Sequence, residues 1–375
     1  MQNNPVIFEL NLRYTEEKSK GGILMEKFVP DYNNISDAAK NKEAKRLPLY
    51  EHNISEGRME LILNKKFKHL IYGDDKDLDE YMANYCRFFL EMGYDTVSFE
   101  QCIGPIMPGS GALGGHKDGV IKTRGDFEKY PWSEIPAYYF ERYTRYYQAL
   151  RRNMPAGMKA IGGPGNGIFE CIQDVVGYTD LCYISVDDPA LYQDLFAMVG
   201  KVNAQIWERF LREFSDLYCV CRFGDDLGFK STTLISADDI RSLVIPQYQK
   251  IIELVHSYHK PFLLHSCGCL FDVMDDIINV AKIDAKHSNE DQIAPFPVWV
   301  EKYGDKIGNF GGIDTDAVCR LNKAEMKEYI LNVISQCAGH GGFAFGSGNS
   351  IPDYVPIEGY QNMVETVREY RGDYK

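Results

Sequence analysis

The run LLHSCGC, Leu263 to Cys269, sets an imidazole and a thiol two residues apart at the end of an apolar stretch. Side chains on an extended chain alternate faces with period two, so His265 and Cys267 turn to the same side. Nitrogen and sulfur donors in that relation suit zinc, which keeps one coordination position open when it is catalytic. A thiol bound at that position loses its proton near neutral pH and becomes a nucleophile. Two ligands do not make a site, so the alternative is a hydrogen-bonded strand-end histidine beside a small buried thiol.

Positioning such a pair takes regular elements, and eight strand-like runs can be read along the chain. They are Leu47 to His52, Asp95 to Gln101, Lys159 to Gly163, Leu217 to Phe223, Pro261 to Ser266, Asp284 to His287, Ile307 to Gly312 and Gly342 to Gly346. Between them lie amphipathic stretches such as Leu78 to Met92, Asp188 to Glu213, Ala237 to His259 and Lys323 to Cys337, with Ser236 as a helix N-cap and Asp239 three residues on. The alternation is that of βα units. An open doubly wound sheet would show the same alternation, but a count of eight favours an α/β fold of the closed (β/α)8 TIM-barrel type.

The C-terminal ends of these strands would present Glu51 and His52, Glu100 and Gln101, Asp225 and Asp226, His265 and Cys267, His287 and Glu290, Asp314, and Asn349. Barrel active sites lie at that end. His265 and Cys267 are the candidate metal ligands, and Asp225, Asp226, Glu290 and Asn349 the candidate catalytic residues. Glu51, His52, Glu100, Gln101, His287 and Asp314 are the candidate substrate-binding residues. The Asp225 and Asp226 pair could serve as acid and base, or cap a helix. GPGNG, Gly163 to Gly167, could bring backbone amides to an anion, but it lacks the Lys-Ser/Thr ending of a P-loop, and such a run is more often just a tight βα turn. The Gly- and Pro-rich stretch from about Cys102 to Tyr130 reads as a long loop over one mouth of the barrel, a lid or substrate wall.

A formal charge of -13 over 375 residues opposes approach to phosphate backbones and anionic lipid, so nucleic acid and membrane are excluded as partners. No apolar run approaches the roughly 20 residues that span a bilayer, and the start, MQNNPVIFELNLRYTEEK, has no export signal. A cytoplasmic protein is expected, and its ten cysteines are read as thiols rather than a disulfide framework. The length fits one barrel domain over about 46–375, preceded by an N-terminal extension over about 1–45.

In the order GDDLGFKSTTLIS, IPQYQKIIELVHSYHKPFLLHSCG, KIDAKHSNE, VEKYGDKIGNFGGID and GGFAFGSGNSIPDYVP, the chain resembles the uroporphyrinogen decarboxylase superfamily from about Leu47 to Tyr370. The resemblance implies a (β/α)8 barrel whose strand ends take a tetrapyrrole, porphyrinogen or corrinoid. The decarboxylase's R-Q-A-G-R-Y motif is missing, since the matching region reads LPLYEHNISEGR, and Glu51 and His52 cannot replace guanidinium groups forked around carboxylates. The cobalamin-dependent methyltransferases of the superfamily carry H-x-C-G and a later cysteine that together hold zinc. His265 and Cys267 match, whereas the later cysteine is replaced by Asn349 in GSGNSIP, leaving Cys269, Glu290 or Asp226 to complete the set.

The resemblance therefore implies zinc-assisted transfer of a methyl group from a methylated corrinoid or corrinoid protein to a small thiol-type acceptor. The first alternative is decarboxylation of a porphyrinogen or other carboxylated substrate, with Arg124, Arg222 and Lys230 as possible cationic groups. The second is a tetrapyrrole-binding barrel without catalysis.

Overall fold

Seven parallel strands, each followed by a helical crossover, form one curled sheet in strict chain order in a computed structural model describing residues 28–115 and 117–373. The opening run read for an export signal lies outside the described residues. The strands are β1 Thr96–Cys102, β2 Lys159–Gly165, β3 Tyr218–Gly224, β4 Phe262–His265, β5 Ala285–His287, β6 Gly308–Ile313 and β7 Phe343–Ser347. Each coincides, within a few residues, with a run read from the sequence.

The eighth expected strand, Leu47 to His52, is the correction. It pairs with β7 at one point only, where Tyr50 N donates to Phe345 O at 2.8 Å and Phe345 N to Pro48 O at 2.9 Å. Pro48 has no N–H to extend that ladder. Towards β1 the join is made by a side chain, Ser98 Oγ donating to His52 O at 2.8 Å. The sheet is thus barrel-like but not fully closed by backbone pairing.

Alternation sorts the strand residues between two cores. Outward side chains such as Phe99, Phe223, Leu264 and Phe345 pack under the helices, while Ile161, Val220, Leu263, Ala285, Phe310 and Ala344 meet inside the curl. Helix α1 (Asn33–Ala39) closes the floor by adding Ile35, Ala38 and Ala39 to that inner cluster. The segment from Tyr32 to Ala39 is therefore packed into the barrel. Ala38 O lies where a Cβ on Gly342 would sit, 1.9 Å away, so only glycine fits there.

The expected helix from Ala237 to His259 is interrupted. Ser236 Oγ accepts from Asp239 N at 3.0 Å, but residues Ile240–Val244 form a π-type turn before α-helical residues Ile245–Ser257. Pro246, which cannot donate to a carbonyl one turn back, accounts for the break. The Cys102 to Tyr130 stretch contains three short helical turns, two of them 3-10, and is tied down by Asp174 Oδ1, which accepts from Gly111 N at 2.8 Å.

The GPGNG run ends β2 and leads into helix α2 (Ile168–Val176). The amides at this helix start are already occupied: Asp225 accepts from Phe169 N at 3.0 Å and Glu170 N at 2.8 Å, and also from Tyr248 OH at 2.6 Å. Asp225→Ala would strand three buried donors and is expected to cost about 2–4 kcal/mol, read as a lower urea midpoint. An unchanged midpoint would contradict this capping role.

Candidate metal centre

Strand register assembles the site. His265 on β4 stands directly beside His287 on β5, and Gly224 at the end of β3 stands beside His265. Asp225 and Asp226 follow at once, Asp225 N donating to His265 O at 2.9 Å. The chain beyond β4 then reverses through Gly268, whose φ of +87° and 2.1 Å Cβ approach to Gly228 admit no side chain. That turn leaves Cys267 facing Asp226, with Cys267 N donating to Asp226 Oδ1 at 2.9 Å.

Hydrogen bonds fix the protonation of both buried histidines. Ser347 O can only accept, so His287 Nε2, 3.0 Å away, carries a hydrogen. Burial, reinforced by the charges of Lys286 and Arg222, pushes the His287 imidazole down to about 3, so it is neutral and its Nδ1 is bare. His265 Nδ1 lies 2.7 Å from that bare nitrogen and must supply the hydrogen. Burial likewise holds His265 well below its ordinary value. Its Nε2 is therefore a lone pair, aimed at Cys267 Sγ 3.5 Å away and Asp226 Oδ1 3.8 Å away.

These three atoms suit one zinc ion. Donors about 2.0–2.3 Å from a tetrahedral ion lie about 3.3–3.8 Å from each other, the separations His265 Nε2 makes with sulfur and carboxylate. The nitrogen, sulfur and oxygen donors of His265, Cys267 and Asp226 all fall within 4.8 Å of one another. Without a cation, burial and the Asp226 charge push the Cys267 thiol up, so its thiolate requires a positive neighbour. Asp226 is 41% exposed, which leaves the group open to the cleft.

A second grouping, His52, His265 and His287, is equally close but points elsewhere. His52 and His265 stack at 3.8 Å with ring planes 18° apart, so their in-plane lone pairs run side by side. The Nδ1 atoms of His265 and His287 already share a hydrogen.

The remaining candidates divide by pleat. His52 and Glu100 face inward, 3.7 Å apart, and Asn349 reaches Cys267 Sγ at 3.3 Å. Glu290 opens the turn after β5, within electrostatic reach of Lys286. Four others lie outside this cluster. Gln101 occupies the opposite face of β1 from Glu100. Asp314 caps the following helix, accepting from Asp316 N at 2.7 Å, and also accepts from Asp291 N at 2.8 Å. Glu51 staples β7 by accepting from Ser347 N at 2.9 Å and Ser347 Oγ at 2.5 Å. Asp225 is the helix cap described above.

Sequence reasoning missed Ser288, which donates to Cys267 Sγ at 3.5 Å, and Glu170, which accepts from Asp226 N at 3.3 Å. It considered Arg222 only as a carboxylate binder. Alternation with Val220 could have pointed Arg222 inward, where it bonds Glu100 Oε2 at 2.8 Å, Tyr50 OH at 2.9 Å and Ser98 Oγ at 2.8 Å.

A curled sheet of parallel strands carrying its polar residues at the C-terminal ends defines a βα-barrel type of protein. Residues 120–370 match the uroporphyrinogen decarboxylase (URO-D) family, and the chain belongs to it. A methyltransferase from Methanosarcina mazei shares the fold with a TM-score of 0.62 and 16% identity, over 90% of this chain and 98% of that one. A candidate vitamin-B12 independent methionine synthase from Listeria monocytogenes aligns less closely, at a TM-score of 0.49 and 12% identity, over 88% and 98% of the two chains. No curated protein matches the chain. No helix among the described residues is long and apolar enough to cross a membrane.

Burial gives the metal-free chain a characteristic pH dependence. His52, His265 and His287 are held below the ordinary 6.5, so their contribution to stability is complete above pH 6.5 and lost as the pH falls. The unfolded chain takes up protons that the folded one refuses. For His287 the loss at pH 5 is about 2 kcal/mol. Burial pushes the Glu51 carboxyl up to about 8, so its contribution is present below about pH 4.5 and is lost as the pH rises through 8. The stability advantage of the unaltered chain over Glu51→Gln, read as the difference between their urea midpoints, is therefore expected to shrink as the pH rises from about 4.5 to 8. A midpoint difference between the two chains that stays constant across that range would refute the Glu51 assignment.

Proposed function

We propose that this chain transfers a methyl group from a methylated corrinoid, free or on a corrinoid protein, to a small thiol-type acceptor with the help of zinc. The observation carrying the reading is the convergence of His265 Nε2, Cys267 Sγ and the Asp226 carboxylate within 4.8 Å, with the histidine lone pair fixed in direction. A zinc ion held there would acidify an acceptor thiol at its open position.

The chain's own residues prepare that position. His287 holds the His265 ring by accepting its Nδ1 hydrogen, the outer-shell support that ligating histidines ordinarily have. The Cys267 amide orients the Asp226 carboxylate. Asp226 thereby takes the place of the expected second cysteine and keeps two anionic donors in the set. His52 and Glu100 line the same cleft.

Decarboxylation of a polycarboxylate would call for free cations, and those considered for it are engaged. Arg124 pairs with Asp188 and Asp194 on the outer surface. Arg222 is enclosed by Glu100, Tyr50 and Ser98, and Lys230 donates to Gln292 Oε1 at 2.6 Å.

Elemental analysis of protein purified without added metal is expected to find near-stoichiometric zinc, falling in both Cys267→Ala and Asp226→Ala. Methylcobalamin is expected to lose its methyl group to a thiol in the presence of the unaltered protein, at a rate at least about 100-fold above either variant. Stoichiometric zinc in Asp226→Ala would remove Asp226 from the ligand set. Failure to demethylate methylcobalamin with any thiol would refute the reaction for the free cofactor, leaving a corrinoid protein to be tested as donor.

A further inference from the structure

Cys267 Sγ is surrounded by donors of a kind that a neutral thiol does not need. Asn349 Nδ2 donates to it at 3.3 Å and Ser288 Oγ at 3.5 Å, while the bare Nε2 of His265 stands 3.5 Å away on another side. A thiol sulfur is a weak acceptor, whereas a thiolate attracts several donors. With the sulfur held as a thiolate ligand the amide must present its Nδ2, because turning Asn349 round would set its carbonyl oxygen against a negative sulfur.

The backbone around Asn349 is held on both sides. Gly348 N donates to Ile313 O at 2.7 Å, Asn289 N donates to Gly348 O at 3.0 Å and Ile351 N donates to Asn53 O at 2.9 Å. A Cβ on Gly348 would lie 2.1 Å from Asn289 O, so this crossing accepts only glycine. The amide is therefore delivered to the sulfur by three neighbouring segments that end at the cleft.

We propose that Asn349 is a positioning residue that acts through Cys267: its N–H, aided by the Ser288 hydroxyl, holds the sulfur as a hydrogen-bonded thiolate ligand and sets how much charge it gives the metal. The proposal rests on the metal reading above. It assigns the position where methyltransferases of this superfamily carry a cysteine to tuning instead of ligation. Each N–H···S or O–H···S bond withdraws charge from the sulfur, which leaves the bound cation more electrophilic towards an acceptor.

Cobalt(II) loaded into the full chain in place of zinc reports this directly, through its sulfur-to-cobalt charge-transfer band in the near ultraviolet. The band is expected in the unaltered protein and lost in Cys267→Ser. Asn349→Leu, similar in size but without the donor, is expected to move it to longer wavelength, because a sulfur freed of its hydrogen bond holds its electrons less tightly. Ser288→Ala is expected to shift it less in the same direction, and Asn349→Cys to intensify it by adding a second thiolate. Asn349→Ala supplies the same comparison should the leucine variant not fold. A band left in place by loss of the Asn349 amide overturns this proposal alone. Absence of any band from the cobalt-treated unaltered protein overturns the metal reading and this proposal with it.

Discussion

The bond from His287 Nε2 to the Ser347 carbonyl decides what the rest of the site can do. Because a carbonyl has no hydrogen to give, the direction of every bond behind it follows, through His287 to the bare Nε2 of His265. The carbonyl is itself held still, since Ser347 N and Oγ are both committed to Glu51. The arrangement depends on parallel register as much as on residue type. A slip of one residue on β4 would turn His265 outward under the helices and bring Leu264 into the cleft.

Burial and polarity are graded along the barrel axis. The floor is apolar and closed by α1, the middle holds Arg222 with Glu100, Tyr50 and Ser98, and the mouth carries the neutral imidazoles with Asp226 and Cys267. Arg222 is fully enclosed, so its charge depends on all of those partners, and removing one would leave an uncompensated group. The histidines meet the same low-polarity surroundings by staying neutral, which is the form a metal requires. Asp226 and Cys267 sit at the more open rim, where a bound cation would offset the repulsion between a carboxylate and a thiolate.

Much of this was legible in the sequence, and the failures have local causes. Seven strands could be read because apolar runs, turn residues and amphipathic segments alternate in the expected order. Pro48 and Pro246 spoiled the first strand and one helix by removing single N–H groups. The shared face of His265 and Cys267 follows from a period of two. The same rule, applied to Tyr50 and His52, would have turned Glu51 away from the cleft. Asp226 as a partner for Cys267, Ser288 as a donor to it and His287 as the support behind His265 depend on turns and cross-strand register, which no local pattern encodes. Capping explains why Asp225 and Asp314 resemble catalytic acids in sequence: carboxylates at strand-to-helix joins bind helix amides as readily as substrates.

X-ray absorption at the zinc edge, on the full chain purified without added metal, tests the central claim most directly. The account predicts a shell with a single sulfur at about 2.3 Å and lighter nitrogen or oxygen donors at about 2.0–2.2 Å, with the sulfur contribution absent in Cys267→Ala. A shell with two sulfurs, or one in which sulfur persists after Cys267 is removed, would contradict the assignment of His265, Cys267 and Asp226 as the metal-holding set.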